Sequence, residues 1–376
     1  MSRLASLNRR VLTVVLLVAL PVLLLGAAAV IGLGQGRLRE AQTSELRQLA
    51  AYTAAALDAY VYRRILDAAL LARVPEIRRA AAAGNDQAFD GARTSEIDRQ
   101  WQADGAAASA RLGVLATPPS RFLADLVAHD SIYREVLVTD RYGRLVAASN
   151  ITSDYLQADE TWWYNAFDNG RGRISMSDVQ LDESAQIYAF EVSVPVYAPS
   201  SEEVAGVMKI VADSREMLTA IAGLEMGATT EAIVVRPDGS IVFRRRAHAP
   251  ADRFFGADLL RQRLEERART REAPDTWSYE AQSDEGTRRV VAVAPSQLTQ
   301  SFPDLPWLMV LSAERDELGA PFRSLVWYLV LVVFLTAVAV LAIALWLSLR
   351  LAAPPIDPAY DMHLVDRAQV RRVGEE

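Results

Sequence analysis

Two long apolar runs near the ends of the chain bracket a middle in which apolar positions recur first at helical and then at strand spacing. Val11 to Leu33 holds 23 residues and Leu325 to Leu349 holds 25, all without a charge. Each is long enough to cross a hydrocarbon core about 30 Å thick at about 1.5 Å per residue. Arg3, Arg9 and Arg10 precede the first run, so a cleaved signal peptide is its competing reading; the run exceeds a signal h-region and continues into a helical pattern, which favours a span. Trp327, Tyr328 and Trp346 lie near the ends of the second run, where amphipathic rings settle at headgroup level.

Between the runs, Leu38, Ala41, Leu46, Leu49, Tyr52, Leu57, Tyr60, Val61, Ile65, Leu70 and Leu71 recur at spacings of three and four, predicting one helix from Arg37 to Ala83 that nothing interrupts before Pro75. Alanine-rich helical pieces follow around Ala88 to Arg111. Thr117-Pro118-Pro119-Ser120 then stops and restarts the chain before a helix from Arg121 to Ala128. The period changes at Ser131. SIYREVLVTDRYGRLVAASN, Ser131 to Asn150, predicts a hairpin turning at Asp140 to Gly143, with Gly143 supplying positive φ and Asp140 able to bond the turn's amides.

Asp159 or Glu160 opens a short helix over TWWYNAF, and AFEVSVPVY and GVMKIVADSREM are two further strands, with Pro195 and the Pro199 to Glu203 turn placed between them. After a connecting helix at Ser214 to Gly223, EAIVVRPDGSIVFRR repeats the hairpin, with its turn at Pro237-Asp238-Gly239. A charged helix at Asp258 to Arg271 and strands at Thr276 to Glu280, Thr287 to Pro295 and Leu305 to Ser312 complete a second lobe. Glu314 to Phe322 leads into the second apolar run.

A net charge of -7 argues against a nucleic-acid partner, since phosphate binding draws on basic patches; Arg244 to Arg246 reads as a solvated loop. The basic residues are arginine except for Lys209, a bias read as composition without functional content. With no cysteine, a disulfide, a thiolate metal site and a cysteine nucleophile are excluded. His129, His248 and His363 lie apart, and none belongs to a pair at metal-ligand spacing. Asp178, Asp182 and Glu183 form an acidic group without EF-hand spacing. No catalytic residue, metal or cofactor is assigned, and the chain is not expected to be an enzyme.

VTDRYGRLVAASN, TWWYNAF, SVPVY and GVMKIVAD, in this order, resemble the membrane-distal module of the double Cache domain of bacterial chemoreceptors and sensor kinases. The resemblance covers roughly Arg37 to Arg323. It implies an α+β fold: a two-lobed PAS-like double Cache domain with a long N-terminal helix, flanked by two transmembrane helices. The expected division is a cytoplasmic N-terminus at 1–10, spans at 11–33 and 325–349, the long helix with helical cover at 37–130, a distal lobe at 131–213, a proximal lobe at 214–323, and a short cytoplasmic tail at 350–376. RLAAPPIDP in that tail resembles the start of a HAMP linker, with too few residues after it for an effector core.

In amino-acid-binding members an Arg two residues before a Trp-Tyr pair clamps the ligand carboxylate, and a downstream Asp holds the ammonium. By resemblance Trp163 and Tyr164 match the pair and Asp213 the Asp, while Thr161 stands at the Arg position and Gln180 replaces a tyrosine expected two residues before Asp182. A hydroxyl cannot supply the charge of a guanidinium fork. The candidate ligand site is therefore Thr161, Trp163, Tyr164, Asp182 and Asp213, for an amine or an uncharged molecule. The competing reading packs Trp162, Trp163 and Tyr164 over the sheet. The expected function is a non-catalytic accessory or scaffold subunit of a larger inner-membrane complex, or a homodimer. The alternative is a periplasmic small-molecule sensor signalling through a cytoplasmic partner. Both place the chain twice through the bacterial inner membrane with its large domain periplasmic.

Overall fold

The computed structural model describes residues 17–18, 20–103, 108–182, 187–215, 217, 227–244, 252–270, 276–318 and 320–352. The N-terminal arginines, the start of the first apolar run, most of the Ser214 to Gly223 helix, Glu183, Arg245, Arg246, His248, and the tail from 353 with His363 lie outside the described residues. Contacts divide the chain into two units, Gln42–Glu317 and a terminal one made of Met1–Ala41 with Leu318–Glu376. In the terminal unit, helix α10, Ala320–Ala352, contains Val326–Ile343, which at 18 residues and a mean hydropathy of 2.8 is long and apolar enough to cross a membrane.

Helix α1 runs unbroken over 52 residues, Leu20–Leu71. Within the larger unit its buried stripe includes Leu46, Ala50, Thr53, Ala54, Leu57, Val61, Ile65 and Ala68. Small side chains carry much of that face, whereas Tyr52 and Leu70, both counted in the apolar periodicity, are 64% and 57% exposed. The helical pattern read as continuing to Ala83 is two helices, since the first ends at Leu71 ahead of Pro75. Val74, ahead of Pro75, takes ψ 128, and α2, Pro75–Gly84, restarts with the proline in its first turn.

Three helices follow. Asp90 caps α3, Gly91–Gln102, by accepting from Arg93 N. The second is α4, Ala108–Leu115. Thr117 caps α5, Pro118–His129, which therefore starts three residues earlier than Arg121, with the two prolines occupying positions whose missing amides cost nothing.

The first sheet comprises β1 Tyr133–Thr139, β2 Leu145–Ala148, β3 Ser175–Met176, β4 Gln180–Asp182, β5 Ile187–Tyr197 and β6 Val204–Asp213, in the order β2-β1-β6-β5-β3 with β4 also on β5. The second comprises β7 Glu231–Val235, β8 Ile241–Arg244, β9 Trp277–Gln282, β10 Arg288–Pro295 and β11 Leu308–Glu314, in the order β8-β7-β11-β10-β9. With β3 and β4 taken as one edge strand, the two antiparallel sheets have the same strand order. Each has a helix between its second and third strands, α6 Thr161–Phe167 in one and α7 Ala257–Thr270 in the other.

The repeat reaches single hydrogen bonds. Gly143 and Gly239 hold φ of 80° and 85° at the two turns. Past each turn the chain returns: Leu145 N bonds Tyr155 O and Gln157 N bonds Gly143 O, as Ile241 N bonds Asp252 O and Phe254 N bonds Gly239 O. A Cβ on either glycine would meet the Cβ of Ala158 or Ala257 at 2.6 or 2.2 Å, so both turns are closed by the loop that feeds the following helix.

Pro195 does not separate two strands. It lies within β5, opposite Val207 and beyond the two residues that β3 pairs, so the edge there needs no amide from it. The last strand begins at Leu308 rather than Leu305, and α8, Leu298–Ser301, precedes it. The short α9, Arg315–Leu318, ends this part of the chain.

Candidate functional site

Helix α6 packs across β5 and β6 of the first sheet, and its two tryptophans take different roles. Trp163 belongs to the core with Leu137, Leu145 and Val207; its indole N–H donates to Thr139 Oγ1 at 2.9 Å and its ring stacks on Phe167 at 4.6 Å. Trp162 belongs to the same core and in addition covers a charged group. Lys209 Nζ lies 5.0 Å from its ring centroid, 3.3 Å from Glu191 Oε1 and 3.7 Å from Glu135 Oε2. The Trp162 indole nitrogen is buried and has no hydrogen-bond partner.

Strand pairing assembles this group. Glu135 on β1 and Glu191 on β5 both pair with Val211 of β6, two residues from Lys209, so all four side chains share one sheet face. Lys209, the chain's one lysine, is only 9% exposed in a strand that is apolar apart from it and the terminal Asp213. Burying an ammonium is costly unless it is paired, and here two carboxylates and an aromatic face supply the compensation. Glu191 remains 31% exposed, so one carboxylate of the cluster has an edge open to solvent.

The residues read from the sequence separate. Asp213 is 1% exposed and held by Arg134 Nη2 at 2.7 Å, Arg215 Nη2 at 2.6 Å and Arg215 N at 2.9 Å. Burial pushes its carboxyl up, and the bonds from Arg215 and Arg134 reverse this to a net lowering. Two guanidiniums thus already occupy the acid. Thr161 begins α6 on its exposed side, and Tyr164 is 60% exposed. Asp182 pairs through its backbone with Ile187 at the edge of the sheet, and its side chain lies outside the described residues.

The acidic group also dissolves as a cation site. Asp178 Oδ2 accepts from Arg236 Nε at 2.6 Å and its Oδ1 from Trp307 Nε1 at 2.9 Å, which ties the first sheet's loop to the second lobe. Among the described residues no cluster of metal-ligating side chains is present. Sequence reasoning passed over Glu135, Glu191 and Lys209 as site residues and named Trp162 only as packing over the sheet. The available signal was a solitary lysine inside GVMKIVAD, set aside as composition.

The first lobe is anchored to α1 at the sheet's other face. Tyr133 Oη donates to Asp67 Oδ2 at 3.1 Å and accepts from Arg64 Nη1 at 3.4 Å. Burial, with the Asp67 carboxylate beside it, raises the phenol's pKa above its ordinary value, so it stays a neutral donor.

No family model matches the chain, and no curated protein matches it. Solved structures do. The ligand-binding domain of the Pseudomonas aeruginosa amino-acid chemoreceptor PctB with L-Arg is 15% identical, with 74% of this chain and 97% of that one covered at a TM-score of 0.46. The sensory domain of the Campylobacter jejuni chemoreceptor Tlp3 is 11% identical over 76% and 98% at 0.47. The sensor domain of the V. cholerae histidine kinase DctB is 14% identical over 73% and 98% at 0.45. By their descriptions these neighbours are ligand-binding or sensory domains of two chemoreceptors and a histidine kinase.

Proposed function

We propose that the chain is a membrane-anchored, non-catalytic sensor subunit whose distal lobe binds a small amine-bearing molecule between α6 and the first sheet. The observation that carries this reading is the buried Lys209 between Glu135 and Glu191 under Trp162. The edge of the Glu191 carboxylate that is open to solvent can accept from an added ammonium. The partnerless Trp162 N–H would donate to an acceptor on the same molecule. Asp213, tied by two arginines, acts as a strut between the start of β1 and the end of β6. Occupancy would be reported along α1, which Tyr133 joins to the first sheet. A periplasmic domain with both termini cytoplasmic belongs to this proposal.

The test is thermal denaturation of the full chain in lipid nanodiscs against a panel of amines, amino acids and organic acids. An amine at a hundred times its Kd should add about 2.7 kcal/mol, a rise of several degrees. Glu191→Gln and Lys209→Met should remove that rise. Absence of any shift across the panel, or a shift indifferent to both variants, overturns the site. Stoichiometric co-migration with a larger membrane assembly in that case would return the weight to the accessory-subunit reading.

A further inference from the structure

The helical cover of the first lobe borders a cavity of about 630 Å³, within the range that holds small molecules. Its walls come from α2, α3, α4 and the hairpin of β1 and β2. Ala80 and Ala83 on α2 and Ala110 and Gly113 on α4 carry little or no side chain, which leaves the space beside them unfilled. A Cβ built on Gly113 would meet no atom within 4 Å. Ile97, Val114, Leu145 and Val146 supply the apolar lining, and such a lining suits a compact aliphatic body.

The polar groups at this cavity have spent their charge but not all of their hydrogens. Asp140 and Arg144 are both buried and form a one-to-one ion pair. Asp140 Oδ1 accepts from Tyr142 N and Arg144 N, and its Oδ2 from Arg144 Nε at 2.6 Å. Arg144 Nη2 donates to Gly84 O and Gln87 O, and Nη1 makes no hydrogen bond among the described residues. The Tyr155 hydroxyl likewise has no partner among them, while its ring lies 6.0 Å from that of Trp101. Burial raises this phenol's pKa and the charge of nearby Arg144 opposes the rise, so a neutral O–H stands beside the guanidinium. Gln100 also borders the cavity; its Nε2 donates to Glu96 Oε1 at 2.8 Å, which leaves its own carbonyl oxygen to accept. Two unspent donors next to a charge already matched call for an uncharged acceptor, since a carboxylate would add a second negative charge beside Asp140.

We infer that this cavity is a second binding site, for a small neutral amide whose carbonyl oxygen accepts from Arg144 Nη1 and the Tyr155 hydroxyl, whose N–H donates to Gln100, and whose aliphatic body lies between α2 and α4. It shares no residue with the cluster around Lys209 and stands or falls separately from it. A molecule seated there clamps α2 and α4 to the hairpin turn that Arg144 already holds.

Titration calorimetry of the full chain in nanodiscs with cyclohexanecarboxamide tests this, with empty nanodiscs as the blank. Saturable binding is expected, and cyclohexanecarboxylate, of the same shape but charged, should bind at least about tenfold more weakly. Tyr155→Phe removes a hydroxyl that has no bond to lose and should weaken the amide about fivefold. Gly113→Leu places a side chain in the open space from an exposed helical position. It should weaken the amide by about tenfold or more while the melting temperature holds or rises. Glu191→Gln should leave binding unchanged. No saturable binding at millimolar amide, a carboxylate that binds as well as the amide, affinity undiminished in either Tyr155→Phe or Gly113→Leu, or binding lost in Glu191→Gln would overturn the inference. Neither cavity variant removes a contact of the fold, so a melting temperature no lower than that of the wild type assigns a loss of affinity to the cavity.

Discussion

Asp213 illustrates how a single side chain can match a motif and be engaged otherwise. Its carboxylate is shielded from water and bonded by Arg134 and Arg215, which holds its folded pKa below the value near 3.9 of an unfolded chain. Stability from such a group is present above the unfolded pKa and is lost as pH falls through the folded one. Asp213→Asn should therefore lower the melting temperature at pH 7 and flatten the loss of stability below about pH 4. Arg215 is 60% exposed, so water screens the pair and the cost at pH 7 should be about 1 kcal/mol, a few degrees at most. Melting curves of wild type and variant between pH 3 and pH 7 would check both parts. Equal slopes below pH 4 would show that the arginines contribute nothing to acid stability.

Elements are joined here by buried polar ties as much as by apolar contact. Arg144, 8% exposed, pairs with the buried Asp140 and donates to Gly84 O at 2.8 Å and Gln87 O at 3.0 Å, locking the hairpin turn to the end of α2. Asn85 completes the joint, donating to Ala205 O and accepting from Arg141 N. Arg144→Ala strands the Asp140 charge and two carbonyls and should cost about 3 kcal/mol or more. Arg144→Lys should recover only part of this, since an ammonium lacks the planar fork. Chemical denaturation of both variants, with hydrogen exchange at the end of α2, would measure it. A cost below 1 kcal/mol for the alanine variant would mean that apolar packing alone holds the turn.

At the scale of the molecule, two sheets of one strand order belong to a single unit that also includes most of α1, and Asp178 is one of the points where they meet. Its partners Arg236 and Trp307 come from different strands' ends in the second lobe, so one carboxylate fixes two features at once. Asp178→Ala should cost about 1–3 kcal/mol and weaken the coupling of the lobes. Unfolding followed by hydrogen exchange in β6 and in β11 should then give separated transitions where the wild type gives one. Coincident transitions in the variant would show that the lobes unfold together without this tie.

Local chemistry determined much of this fold in advance. The turns at Gly143 and Gly239, the restart at Pro75, the proline-led α5 and the repeat of hairpin 131–150 in 231–245 all follow from φ preferences, caps and period, which act over a few residues. The length and apolarity of Val326–Ile343 were legible for the same reason. What only the tertiary structure decided is which side chains meet. Glu135, Glu191 and Lys209 converge because β6 lies between its sequence neighbour β5 and the distant β1, as in the pairing of Glu135 with Val211. Whether Trp162 or Trp163 covers that charge depends on how α6 rotates against the sheet, and a run of two adjacent tryptophans carries no information on it. The alanines at 80, 83 and 110 read as helix formers in one dimension and as a cavity wall in three, since an absence of side-chain volume has meaning only beside Arg144 and Tyr155.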